Sequence, residues 1–191
     1  DAGTPVISDP GYKLIQECIT QSIKYTLIPG PSSLISAIVM SGLPADKFSF
    51  FGFMPKKKHD QEDLFKNLKN NPSTAIFFES PKRIEKTILN LIKIMGLDKK
   101  IAICREMTKL HEEIIRGSLK DVIKKIKTKN ILFKGEIVLV IEGSKKNQIN
   151  YSLDSKVRNE FLKKLSASDS AKLISLLTGE NKRNIYKSLI D

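Results

Sequence analysis

The first eleven residues, Asp1-Ala2-Gly3-Thr4-Pro5-Val6-Ile7-Ser8-Asp9-Pro10-Gly11, constrain this chain more than any other stretch. Two Gly-Pro turns sit almost back to back, with only Val6-Ile7-Ser8 between them. Gly3 and Gly11 are free to take φ values that clash for other residues. Pro5 and Pro10 fix their own φ and push Thr4 and Asp9 away from helix. The pattern predicts a stiff loop with exposed backbone N–H and C=O groups, followed from Tyr12 by a helix. A rigid loop between a strand end and a helix N-terminus is where α/β sheets hold ligands. Spacing alone leaves two readings open, a ligand loop and a plain strand–loop–helix corner.

Beyond the loop, apolar periodicity alternates between helix and strand. Leu14, Ile15, Cys18 and Ile19 recur at helical spacing, so residues 12–22 read as an amphipathic helix. Residues 24–28 (KYTLI) are short, partly β-branched and bounded by turn residues, and read as a strand. Pro29-Gly30-Pro31 breaks the chain, and Ser32 or Ser33 is placed to cap a helix ending at Gly42. A linker at 43–47 leads to a second region. Strands are expected at 48–53, 75–78, 100–104, 112–116 and 135–142, with Gly117 turning the fourth. The continuous apolar run Ile137 to Ile141 predicts a strand covered on both faces. Helices are expected at 60–70, from Glu79-Ser80-Pro81 onward, and at 118–127. Lys82 and Arg83 then fall in a first helical turn, where cations oppose the dipole and suggest an anion to be met. Three short helices, 151–165, 168–177 and 182–190, close the chain, with Gly179 ending the middle one.

The net charge of +12 is unevenly spread. Residues 48–150 hold 22 basic against 12 acidic groups, whereas residues 1–47 hold 3 against 4. A polyanion would therefore meet the middle segment, although solvated helix faces account for many lysines. Cys18 and Cys104 are far apart, lack CxxC spacing and read as reduced thiols in a reducing cytoplasm. His59 and His111 are isolated, so no metal site is expected. No apolar run is long enough to cross a bilayer. At a strand end, Arg105, Glu106 and Lys109 form the densest mixed-charge cluster; an ordinary ion-pair network would look the same.

The loop DAGTPVISDPG resembles the signature of the ribosomal small-subunit RNA methyltransferase I family, within the tetrapyrrole methylase superfamily. IPGPSSLISAIVMSGLP (28–44), FFGFMPKKK (50–58), FFESPKR (77–83), CREMTKLHEE (104–113) and KGEIVLVIEG (134–143) continue the resemblance in order. It implies a two-domain α/β fold: the remainder of a Rossmann-like cofactor-binding domain at 1–47, a mixed-sheet methylase domain at 48–150, and a small helical unit at 151–191. It also implies a further N-terminal stretch, so the chain is expected to be a C-terminal portion of a longer protein. The implied activity is transfer of a methyl group from S-adenosylmethionine to the 2′-hydroxyl of a cytidine in 16S rRNA of the small ribosomal subunit. The implied setting is a cytoplasmic homodimer with no membrane association.

Matching positions imply cofactor contacts at Gly3, Thr4, Pro5 and Ile7, at Ser32 and Ser33, and at Phe78, Cys104 and Glu136. The RNA-facing candidates are Lys56, Lys57, Lys58, Lys82 and Arg83. Arg105, Glu106 and Lys109 are the catalytic candidates, because a ribose hydroxyl is a weak acid that a base or a stabilising charge would activate. Two other readings compete: a methylase of tetrapyrroles or other small molecules, and a non-catalytic RNA-binding module for ribosome assembly. If the first reading holds, this chain alone binds S-adenosylmethionine weakly and methylates nothing. Titration calorimetry on this chain and on one extended at its N-terminus decides the point; equal affinities would contradict it.

Overall fold

The computed structural model describes residues 3–129, 133–144, 155–178 and 181–190. Asp1, Ala2 and Gly179, and residues 151–154 of the expected helix 151–165, lie outside them. The protein forms two compact units, Asp1–Ser144 and Lys145–Asp191.

The first unit is mixed α/β. Its helices are α1 (Tyr12–Thr20), α2 (Ser33–Ser41), α3 (Lys58–Lys69), α4 (Ile84–Met95) and α5 (Leu119–Lys129). Its strands are β1 (Phe48–Phe53), β2 (Thr74–Glu79), β3 (Lys100–Arg105), β4 (Glu113–Ser118) and β5 (Ile137–Ile141). The sheet order is β1-β2-β5-β3-β4. β1 and β2 are parallel across the α3 crossover, while β5 lies antiparallel to both β2 and β3. The last strand in sequence is thus the middle strand in space. That position explains its uninterrupted apolar run, because all five of its residues are buried.

Strand alternation divides the core into two layers. On one face Ile137, Leu139 and Ile141 meet Phe77, Ile101 and Ile103, and all pack under α3, α4 and α5 through Phe65, Ile88, Leu91, Leu119 and Val122. On the other face Val138 and Val140 join Ile76, Ala102 and Cys104 beneath Leu34, Ala37 and Ile38 of α2. Ser118 begins α5 with reciprocal bonds to Asp121: its Oγ accepts from the Asp121 N–H (3.1 Å) and donates to Oδ2 (2.6 Å). The fourth strand therefore runs one residue past Gly117, and the chain changes direction at the Ser118 cap.

Two expectations change. Residues 24–28 form no strand, because a strand needs a neighbour to bond and no described residue pairs with them. Tyr25, Leu27 and Ile28 are exposed, and α1, despite its apolar stripe, has no buried residue. Lys82 and Arg83 lie in a turn ahead of α4 rather than inside its first turn, since the first regular turn opens at Ile84.

The second unit holds α6 (Ser155–Lys164), α7 (Ala167–Thr178) and α8 (Lys182–Ile190). Its small core comprises Ala171, Ile174, Ile185 and Leu189, with Leu162 against it. Ser166 caps α7 by accepting from the Asp169 N–H (3.1 Å), and Asn181 caps α8 by accepting from the Arg183 N–H (2.9 Å). No helix among the described residues is long and apolar enough to cross a membrane.

Leu139 is fully buried in the central strand. Leu139→Ala is expected to cost about 3 kcal/mol, the transfer term plus a cavity that neighbouring strands on both sides prevent from collapsing. Urea unfolding measures this, and a loss below about 1 kcal/mol would show that β5 is not the packed centre.

Candidate functional site

The C-terminal ends of β1, β2 and β3, the start of β5 and the N-terminus of α2 meet at one edge of the sheet. There they border a cleft of about 250 Å³. That is a little below the roughly 300–1,000 Å³ of a typical small-molecule site. Its apolar wall is Phe53, Phe78, Met107, Ile137 and Val138; its polar groups are Ser33 and three carboxylates, Glu79, Glu106 and Glu136. The aromatic wall is built edge to face. Phe78 meets Phe50 at 4.9 Å and Phe53 at 5.4 Å between ring centroids, a packing that aromatic quadrupoles favour.

Glu79 is the buried member of this set. Its side chain is fully enclosed, and the Arg83 guanidinium reaches its Oε1 at 2.8 Å. Oε1 also accepts the Ser80 N–H at 2.7 Å, and Oε2 accepts the Thr87 hydroxyl at 3.0 Å. For Arg83, the anion expected ahead of α4 therefore belongs to the chain itself, four residues back, while Lys82 is exposed. Arg83 also donates to Ser80 Oγ (3.2 Å) and to the carbonyls of Met54 (3.2 Å) and Pro55 (3.4 Å).

Glu106 and Glu136 are held in a different way. Glu106 has φ +47, an uncommon conformation for a residue with a side chain. There it accepts the Glu136 N–H at 2.7 Å and the Lys109 ammonium at 3.1 Å, while Lys109 also reaches Glu136 Oε2 at 3.1 Å. Gly135, at φ +78, makes room for this: a Cβ there would collide with the Glu106 carboxylate. The Glu136 backbone N–H, and then Lys109, hold the Glu106 carboxyl below the usual range. The bonds that Lys109 donates to Glu106 and Glu136 raise its ammonium above its usual value. At neutral pH the carboxylate is a weak base and the ammonium keeps its proton. The cluster can stabilise developing negative charge or orient a donor; it is poorly set to abstract a proton.

Of the residues singled out in the sequence, the cleft gathers Ser33, Phe78, Glu106 and Glu136. Lys109 touches it through its two carboxylate partners. Arg105 stands outside, its Nη2 3.0 Å from Glu113 Oε2. Cys104 is fully buried under α2, with its Sγ 3.8 Å from the Ala37 carbonyl, and burial pushes its thiol up to about 11. Gly3, Thr4, Pro5 and Ile7 do not line the cleft. Instead the first loop clasps the second: Thr4 donates its hydroxyl to the Gly30 carbonyl (2.9 Å) and its N–H to Pro31 (2.9 Å). Gly30 permits that approach, because a Cβ there would lie 3.1 Å from the Gly3 carbonyl carbon. The loop also stores strain at Val6, a β-branched residue at φ +76. Ser32 occupies the N-cap position of α2 without a side-chain cap bond, and Ser33 is the first residue of the helix, so side-chain capping does not account for Ser32. Lys56, Lys58 and Arg83 line a separate cleft, while Lys57 immediately precedes α3 and Lys82 is exposed.

Sequence reasoning missed Glu79, Phe53 and Met107. Glu79 carried a signal, since a carboxylate at the end of an otherwise apolar strand four residues before an arginine is placed for an ion pair.

The family model of tetrapyrrole (corrin/porphyrin) methylases matches residues 1–123. A ribosomal RNA small subunit methyltransferase I from Thermotoga maritima is 46% identical over 143 residues, covering 75% of this chain and 63% of that protein. One from Hydrogenobaculum sp. is 49% identical over 150 residues, covering 78% and 63%. One from Xylella fastidiosa is 34% identical over 187 residues, covering 97% and 68%. The chain thus spans just under two thirds of the length of the first two relatives. Among solved structures, the methyltransferase CobJ superposes with a TM-score of 0.54 at 14% identity, over 75% of this chain and 63% of that one. That likeness concerns the fold alone.

The ionised Glu106 network contributes stability above the carboxyl's unfolded value and loses it as pH falls through the lowered folded value. The melting-temperature gap between the wild type and Glu106→Gln is therefore expected to stay constant from about pH 5 to pH 8 and to close below about pH 4. Thermal melts across that range test it; a gap that widens on acidification would contradict the assignment.

Proposed function

The chain belongs to the ribosomal small-subunit RNA methyltransferase I family of the tetrapyrrole methylase superfamily, and from that premise we propose that the complete protein methylates the 2′-hydroxyl of a cytidine in 16S rRNA with S-adenosylmethionine as donor. The observation that carries this reading is the cleft at the strand ends, where an aromatic wall faces a set of carboxylates. Ligands of open α/β sheets sit at that edge. The residues present fit such a donor: Phe53 and Phe78 offer flat apolar surface to an adenine, and Glu106 and Glu136 suit a ligand bearing a positive centre and hydroxyl donors.

The donor supplies an activated methyl on a cationic sulfur. Transfer by in-line displacement then depends chiefly on holding the ribose oxygen against the methyl carbon, which positioning alone can accelerate by orders of magnitude. Lys109 keeps its proton and stands between two cleft carboxylates, where it stabilises charge developing on the ribose oxygen. Arg105, fixed by Glu113, supports the loop that carries Glu106. The middle segment holds a net charge of +10 (22 basic less 12 acidic groups), which suits a substrate of repeating phosphates.

In the complete protein, Lys109→Ala is expected to lower kcat for methyl incorporation into isolated small subunits by about 10- to 100-fold. Donor affinity should change by less than about threefold, because no direct donor contact is assigned to Lys109. Radiolabelled methyl transfer and calorimetry measure the two. Unchanged turnover would remove Lys109 from the reaction.

A further inference from the structure

We propose that a second cleft, between α3 and α4, is a docking groove for the ribose–phosphate backbone of the RNA flanking the reacting nucleotide. The inference rests on the reading of the protein as an RNA methyltransferase. The cleft holds about 400 Å³, and five cations border it: Lys56, Lys58, Arg83, Lys86 and Lys93. Their counter-charges are few. Glu62 is shared between Lys58 (4.0 Å) and Lys93 (3.6 Å), and Glu79 is committed to Arg83 (2.8 Å). Lys56 and Lys86 form no ion pair among the described residues. The groove is left with an excess of three positive charges, five cations against two carboxylates.

The floor adds a second, independent feature. Gln61 donates its amide to the Pro55 carbonyl (2.8 Å), which can only accept. That bond turns the Gln61 oxygen toward Asn90, whose Nδ2 donates to it at 3.2 Å. Both amide orientations follow from this relay. Asn90 Oδ1 is left buried with no hydrogen-bond partner among the described residues, and Asn90 is 93% buried against the groove. A buried acceptor without a donor is costly. Lys86 and Lys93 lie one helical turn to either side of it. The cationic rim matches the phosphates of an RNA backbone, and the enclosed Asn90 oxygen beneath it gains a donor only where the floor opens to a bound ribose, whose 2′-hydroxyl distinguishes RNA from DNA.

The two clefts adjoin. Glu79 lines the first and grips Arg83, which lines the second. Phe53 lines the first, and Lys56, three residues on, lines the second. The Glu79–Arg83 pair is the partition between them, so a strand whose target ribose enters the first cleft passes over that partition onto the lysines.

The test uses the complete protein. Lys86→Glu/Lys93→Glu is compared with Lys120→Glu/Lys124→Glu, an equal charge change on the exposed face of α5. The groove variant is expected to weaken binding to small subunits at least about tenfold and to lower the slope of log K against log salt by about 1 to 2. KM should rise while kcat changes less than about threefold, and the α5 variant should bind within about threefold of wild type. Asn90→Leu should narrow the preference for a single-stranded RNA over the same DNA sequence in competition. Equal effects of the two charge variants, or none, would overturn the groove while wild-type turnover left the enzymatic reading standing. A wild type that methylates no small subunits would sink both.

Discussion

One ion pair orders the functional edge of this protein. Glu79 closes β2 and Arg83 ends the turn that launches α4, and their contact lies where a strand from the core becomes the wall of a cleft. An enclosed carboxylate without a cation would carry a large desolvation penalty. The pair therefore fixes the path of residues 79–84, and three carboxylate bonds give it no slack. Removing either partner would strand a charge rather than merely delete a contact. The aromatic wall, the start of α4 and the lysine groove are all positioned from this point.

The loop after β3 is held by weaker but more numerous bonds. Glu106 sits in a backbone conformation that most side chains avoid, and Gly135 leaves the space that its carboxylate fills. Two acidic groups share one ammonium, and all three are accessible to solvent to some degree, so salt will loosen this cluster before it touches the buried pair. The site thus combines a rigid half, built around β2 and α4, with a half that a substrate can adjust.

The sequence made much of the architecture legible because the hydrophobic patterns were local. Ile137 to Ile141 announced a strand covered on both faces, and the helices from 58 onward fall within a few residues of their expected limits. Residues 24–28 show where the approach fails. Their β-branched pattern describes a segment suited to a sheet, but pattern cannot supply the neighbour that makes a ladder. The basic pair Lys82-Arg83 suggests an anion without naming it, because the partner of Arg83, Glu79, is close in sequence yet becomes enclosed only when β2 packs. Ser33, Phe78 and Glu136 could be named from the resemblance, and Glu106 from the mixed-charge cluster at the end of β3. That Cys104 is sealed beneath α2, and Arg105 tied to Glu113, depends on side-chain direction, which motif matching does not carry.

The position of β5 has a consequence for how the chain comes together. β1 pairs with β2 across the α3 crossover and β3 pairs directly with β4, yet these two pairs of strands meet only through β5, the last strand in the sequence. Two-stranded ribbons are marginal in water and leave open edges. The sheet therefore cannot close until residues 137–141 are in place between β2 and β3, so its continuity depends on contacts distant in sequence.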